Sequence, residues 1–161
     1  MTASKSEAIS RLTELVTDEL DECQAVVLEV SRALEVVEHS PEGVFVAVAI
    51  AAYIENVFSG LERIMLRIAD DIDGERPIGD SWHKDLLQRS GQTMGWRGPI
   101  LTHETIIMID EWRRFRHLVR HNYLTRRKSN EVEMLGFRVV TGFPKVRADV
   151  TRFLATLTGT D

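Results

Sequence analysis

The chain has 161 residues, 43% of them hydrophobic and 28% charged, which is typical of one ordinary globular domain and excludes disordered, collagen-like and coiled-coil classes. Cys23 is the only cysteine, so an internal disulfide and a multi-cysteine zinc site are excluded. The net charge of −5 argues against general nucleic-acid binding. From the length we expect one domain over residues 1–161. Because no secretory signal or apolar run of membrane-spanning length is visible, we expect the protein in the cytoplasm.

Helical periodicity runs through the first half of the sequence. Apolar residues recur every three or four positions over about 6–38, which predicts a long first helix. A break at 39–43 precedes a second helix that is expected to extend to about Asp73. The first part of this second helix, 44–52, is apolar on all sides, so we expect it to cross the middle of the core.

Two shorter helices are predicted in the middle of the chain. Two glycines and a proline make 74–80 a loop, and a short helix then runs through Leu86, Leu87 and Met94. After another break, Thr102 is expected to cap a fourth helix, because its hydroxyl can accept a hydrogen bond from the first turn.

The last part of the chain is predicted as helix over about 129–157, with an interruption at 142–144, where a glycine precedes a proline by two residues. A short extended piece at 138–140 is the alternative. The predicted fold is therefore an all-α, antiparallel bundle of about five helices.

Charge is distributed unevenly along the chain. Residues 1–42 contain three Lys or Arg against ten Asp or Glu, a local charge of −7. Residues 111–128 contain seven Lys or Arg against Glu111 alone, a local charge of +6. A polyanion responds to the charge within about a Debye length, so this basic segment is the first indication of function.

The basic segment combines arginine with histidine. His117 and His121 are four residues apart, as are Arg116 and Arg120. A solvated helix face is the ordinary interpretation of such a run, but like charges at this spacing destabilise an isolated helix, and a bound polyanion would relieve that cost. Imidazoles near pKa 6.5 suit proton transfer from the 2′-hydroxyl of RNA, and guanidinium groups suit the phosphate. Such a cluster can cleave RNA without a metal.

A metal site is the competing interpretation of the two histidines. His117 and His121 have the spacing of half a helical zinc site, but no glutamate lies between them and arginines surround them. We therefore expect no metal and no cofactor. Trp82 is expected to pack without a catalytic role. Roles in capping, or simple exposure at helix ends, are expected for His39, His83 and His103.

A short motif in this segment resembles a known family. Arg116, His121 and Tyr123 form the pattern R-x4-H-x-Y, which is similar to the signature of HepT-like toxins, small all-helical ribonucleases of the HEPN superfamily. His117 fits the polar residue that these enzymes favour after the arginine. The flanking segments 62–74 and 82–87 are also similar, so the resemblance extends from about Tyr53 onward.

The resemblance implies a reaction, partners and residue roles. HepT-like toxins are homodimers that cleave RNA without metal, and an MntA-like minimal nucleotidyltransferase antitoxin neutralises them by transferring AMP to the motif tyrosine. By position, Arg116 and His121 would be catalytic, His117 would support them and Tyr123 would accept AMP. Arg120 lies outside the motif, and we expect it to bind phosphate because of its charge and its spacing from Arg116.

Helix geometry sets a condition on this site. At about 100° per residue, Arg116 and Tyr123 nearly eclipse each other, whereas His121 lies about 140° from Arg116. Either the helix loosens near His121, or the arginine and the histidine of one site come from opposite protomers.

Two alternatives to the ribonuclease stay open: a non-catalytic HEPN-type module that binds a nucleotide or a partner, and a helical protein that uses its acidic first helix.

Overall fold

The computed structural model describes the backbone of residues 3–39, 43–121 and 126–159, and the side chains of residues 5–37, 45–115 and 129–159. The described parts contain five α-helices and one π-helical turn. They are α1 (Ala3–His39), α2 (Gly43–Ile68), the π turn (Ala69–Asp73), α3 (Trp82–Ser90), α4 (His103–His121) and α5 (Arg126–Thr158). The all-α prediction is therefore confirmed.

Two predicted boundaries are wrong. The third helix ends at Ser90, and Met94 instead pairs with Arg97 in an isolated β-bridge. The last helix continues without a break through Pro144, so neither the interruption at 142–144 nor the extended piece at 138–140 is present.

Burial explains why α5 tolerates its proline. A proline inside a helix costs about 3 kcal/mol, because it removes one hydrogen bond and crowds the preceding turn. Val139, Phe143 and Val146, on the two sides of Pro144, are completely buried. Burying side chains of this kind contributes about 1.5–3 kcal/mol each, which outweighs the cost of the proline.

The core lies among α1, α2, α4 and α5, and α2 contacts all the other helices. Ala47 and Ile50 in its first part are completely buried, as the apolar sequence predicts, but Phe45 and Val48 are 74% and 49% exposed. Only one side of this part of α2 therefore faces the core. By length and composition alone, residues 45–73 could cross a membrane, but half of the most apolar window is buried inside the bundle, which is also typical of a core helix.

The long helices are antiparallel, so each end of the bundle can be identified by the residues that meet there. Ser6 near the start of α1 and Thr158 at the end of α5 line the same surface pocket. Near the other end, Gly136 of α5 packs against Val30 of α1 and Ile50 of α2. The last turns of α4 and the first turns of α5 therefore lie at the end of the bundle opposite to loops 74–81 and 91–102.

Candidate functional site

The predicted site residues lie at the C-terminal end of α4. Arg116, His117, Arg120 and His121 belong to its last two turns, and their side chains are outside the described set. Tyr123 lies in 122–125, outside the described residues. The backbone is α-helical through His121, so the helix does not loosen before that residue, and the angle of about 140° from Arg116 is retained.

The N-terminus of α4 is fixed to α5 by hydrogen bonds. Thr102 caps α4 as predicted, since its hydroxyl accepts the backbone N–H of Thr105 at 3.4 Å. The backbone N–H and the hydroxyl of Thr102 also donate to Asp149 Oδ2, each at 2.8 Å, and Arg152 donates to Asp149 Oδ1 at 2.8 Å. Burial works against ionisation of Asp149, but these hydrogen bonds hold the pKa of its carboxyl below the usual value.

One side of α4 is packed into the core. Thr105, Ile109 and Trp112 are completely buried along this side. Gly142 of α5 lies so close that a Cβ there would come within 2.3 Å of Met108 Sδ, which brings the two helices together. In helical register, Arg116 is the next position of the buried series 105, 109 and 112.

A second stripe on α4 faces away from the core. Ile107 is 59% exposed, Asp110 is half-buried, and the Arg114 side chain is 75% exposed. The spacing of these residues, three and then four, continues in register to His117 and His121. We name the positions 107, 110, 114, 117 and 121 the outer stripe. The arginine and the histidine of the motif therefore belong to different sides of the helix.

Ion pairs reduce the free charge of the basic segment. Arg113 Nε and Arg114 Nη2 each contact Asp110 at 2.7 Å. Although partial burial opposes it, these two arginines hold the pKa of Asp110 below its usual value. Glu111 accepts a hydrogen bond from Arg138 of α5. The local charge of +6 over residues 111–128 does not include Asp110, which neutralises part of this segment.

A groove of about 530 Å³ runs between α3 and α4. Its lining combines apolar, amide and charged side chains. They are Lys84, Leu87 and Gln88 of α3, and Ile106, Ile107, Asp110, Glu111 and Arg114 of α4. Sequence reasoning missed this groove, because it depends on how two helices pack and not on any spacing within one of them.

Contacts with α2 and the core hold α3, one of the two helices that form the groove, in place. The His83 ring contacts the carboxylate of Glu62 on α2, which is only 6% exposed. The rings of Trp82 and His83 stack with centroids 3.5 Å apart, and Trp82 packs against the core. The predicted packing role of Trp82 is confirmed, and His83 is a structural partner of Glu62.

A buried ion pair fixes the loop that leads into α4. The side chains of Arg97 and Asp73 are 1% and 3% exposed, and Arg97 Nε and Nη2 donate to the two Asp73 oxygens at 2.6 and 2.7 Å. The remaining guanidinium nitrogen, Nη1, donates to the carbonyls of Gln92 and Gly98 at 2.9 and 3.1 Å. This bidentate pair, which sequence reasoning also missed, joins loop 91–102 to the end of the π turn.

Comparison with known proteins identifies the family. The sequence profile described as HepT-like protein matches residues 49–157, which run from the first part of α2 almost to the end of α5 and include the R-x4-H-x-Y pattern. No curated protein and no solved structure matches the chain. Because the matched segment is well over half of the chain, this protein belongs to the HepT-like family of HEPN toxins.

Proposed function

We propose that this protein is the metal-independent endoribonuclease toxin of a toxin–antitoxin pair, acting on RNA in the cytoplasm. One observation carries the proposal: the segment that matches the HepT-like family contains Arg116, His121 and Tyr123 in the complete R-x4-H-x-Y pattern. The first two residues lie on a helix that is anchored at its start and packed along one side, which favours a rigid catalytic element.

The proposed reaction needs only groups of the protein and the RNA. A base takes the proton of a 2′-hydroxyl, the 2′-oxygen bonds to the adjacent phosphorus, and the P–O5′ bond breaks as an acid protonates the leaving oxygen. His121 is the acid or the base, and His117 supports it. Arg116 stabilises the negative charge that builds on the phosphoryl oxygens, while Arg120 binds phosphate.

A homodimer accounts for the angular separation of the two catalytic residues. In one protomer, Arg116 and His121 belong to different sides of α4, so a single phosphate is not easily reached by both. In the proposed dimer, each site takes Arg116 from one copy and His121 from its partner. The exposed Met134 and Phe137 of α5, 58% and 63% exposed, are apolar surface that a second copy would cover.

The proposed control is covalent. An MntA-like minimal nucleotidyltransferase transfers AMP to the Tyr123 hydroxyl, with release of pyrophosphate from ATP. The adenylyl group brings a negative charge and a bulky nucleoside to the position where the RNA phosphate binds. Both effects oppose substrate binding.

Intact-mass measurement and an RNA cleavage assay in EDTA test the proposal together. The protein is expressed with and without its genomic neighbour, and Arg116→Ala and His121→Ala serve as inactive controls. We expect added AMP mass on Tyr123 only with the neighbour, and cleavage only by the unmodified protein. Losing the acid or base should cost about 10²–10⁴ in rate. A folded dimer that neither cleaves RNA nor accepts AMP would overturn the proposal in favour of a binding module.

A further inference from the structure

The α3–α4 groove combines an apolar surface with a few polar and charged side chains. Leu87 forms a buried floor, and Ile107 adds an apolar surface that is 59% exposed. The Gln88 amide can both donate and accept hydrogen bonds at the edge of this surface. Lys84 is exposed, and among the side chains that the structure describes it makes no ion pair. Apolar surface with a few polar groups is typical of small-ligand sites.

The charges that line the groove balance, because Lys84 and Arg114 are matched by Asp110 and Glu111. Asp110 is bound by Arg113 and Arg114, and Glu111 is bound by Arg138. Because both carboxylates already have arginine partners, Lys84 is the cation that remains for an anionic ligand.

The groove is continuous with the catalytic motif along the outer stripe of α4. Ile107 and Arg114 line the groove, and His121 follows Arg114 by seven residues, which is about 10 Å along the helix axis. A distance of this size is a few nucleotides of a single strand, since successive nucleotides rise about 3.4 Å in a stacked strand. A strand held at the histidines and continuing along α4 therefore arrives at the groove.

We propose that the α3–α4 groove binds a nucleotide of single-stranded RNA that flanks the cleaved phosphate. The base lies on Leu87 and Ile107, the Gln88 amide bonds to its edge, and Lys84 binds a phosphate of the strand. The assignment rests on the proposed ribonuclease function, and it names the part of the surface that holds substrate beside the reacting groups.

A pair of lysine variants tests the groove. Lys84→Gln removes the unpaired ammonium of the groove, whereas Lys145→Gln removes one from α5, where Lys145 pairs with Glu104 on the surface. The probe is a fluorescent 2′-O-methyl RNA, which binds but cannot be cleaved because its 2′-oxygen is blocked. We expect Lys84→Gln to weaken binding about tenfold. The slope of the logarithm of the binding constant against the logarithm of the salt concentration should become smaller in magnitude by about 0.7, which corresponds to one phosphate contact on a single strand. Lys145→Gln should bind like the native protein.

A second pair of readouts separates the possible failures. Equal binding by the two lysine variants would overturn the groove assignment, whatever the cleavage assay shows. Ile107→Ser should weaken binding and leave the oligomeric state unchanged; if it instead converts a dimer to monomers, the groove is an interface between copies and the assignment is wrong. If the native protein binds through Lys84 but never cleaves unmodified RNA, the proposed ribonuclease function fails and the binding site stands.

Discussion

At the scale of single residues, two Arg–Asp pairs with aspartates in the π turn differ in burial. Asp73 at the end of the turn pairs with Arg97, and both side chains are almost completely buried. Asp70 near its start pairs with Arg76, and those side chains are 38% and 55% exposed. Removing one partner of a buried pair leaves an uncompensated charge, whereas water replaces the lost partner at the surface.

We therefore predict different outcomes for two matched substitutions. Arg97→Met should lower the free energy of unfolding by about 3–5 kcal/mol, because Asp73 then stays buried without its cation. Arg76→Met should leave the unfolding free energy close to that of the native protein. Urea unfolding followed by circular dichroism measures both. If the two variants unfold at the same urea concentration, the Arg97–Asp73 pair does not hold the loop.

Single residues also show how far the sequence predicts contacts. The Thr102 cap was predictable, because a cap involves the residue itself and the turn that follows it. Its second partner, Asp149, lies 47 residues away, and Arg97 lies 24 residues from Asp73. Such pairs depend on tertiary packing, so no local pattern indicates them. The contact of Asp110 with Arg113 and Arg114 is different, because it is local, three and four residues along α4, and was missed only because the charged segment was counted from residue 111.

At the scale of helices, α1 and α2 approach closely where Gly60 faces Cys23. A Cβ on Gly60 would lie 2.3 Å from Cys23 Sγ, and this sulfur is part of a short, buried side chain that cannot move aside. Burial, together with the nearby Glu19, raises the pKa of the Cys23 thiol to about 12, so the thiol stays neutral and acts as a packing group.

Gly60→Ala should therefore destabilise the protein even though alanine is the better helix former. The clash should cost about 1–3 kcal/mol, against a gain of about 1 kcal/mol in helix propensity. Cys23→Ala removes the sulfur, so the double variant should be more stable than the sum of the two single effects predicts. Thermal unfolding of the three variants gives the coupling. Additive effects would mean that the helices separate to admit the methyl group.

The hydrogen bonds from Thr102, at the start of α4, to Asp149 of α5 should weaken in acid. The pKa of Asp149 is lower in the folded protein than in the unfolded chain, where it is about 3.9, so the unfolded state binds more protons over this range. Its contribution to stability is present above the unfolded pKa and is lost as the pH falls through the folded pKa. Between pH 7 and 3, urea unfolding should show that the free energy of unfolding falls less for Asp149→Asn than for the native protein. An identical pH profile would contradict the prediction.

The helices themselves were predictable because their signals are local and long. Periodicity located α1, α2 and α4 within a few residues, whereas Pro144 was assigned as a break. The proline signal is also local, but three buried neighbours on α5 outweighed it. The α3–α4 groove had no sequence signal, since its residues come from two helices and have no common spacing.

At the scale of the whole molecule, the motif and the long loops occupy opposite ends of the bundle. Lys5 at the start of α1 lies 4.4 Å from the Trp96 ring centroid, so loop 91–102 and the beginning of α1 are neighbours. The last turns of α4 lie at the other end, beyond Gly136 and its contacts with α1 and α2. The family profile begins in α2, and the matched segment 49–157 has a net charge of +3, whereas residues 1–48 have a net charge of −7. Because loop 91–102 lies at the end of the bundle opposite to the motif, variants in this loop should alter stability and leave the chemistry of the motif intact.

Mixed dimers of two inactive variants test whether each site is shared between protomers. Arg116→Ala and His121→Ala are each expected to be inactive alone. In a mixed dimer with shared sites, one site loses both residues, but the other takes the intact arginine from one copy and the intact histidine from its partner. An equimolar, re-associated mixture should regain about a quarter of native activity, since half of the dimers are mixed and each has one complete site. If each site lay within one protomer, every site in the mixture would lack a residue and no cleavage would return. The α-helical path of α4 through His121, which keeps Arg116 and His121 on different sides, favours the first outcome.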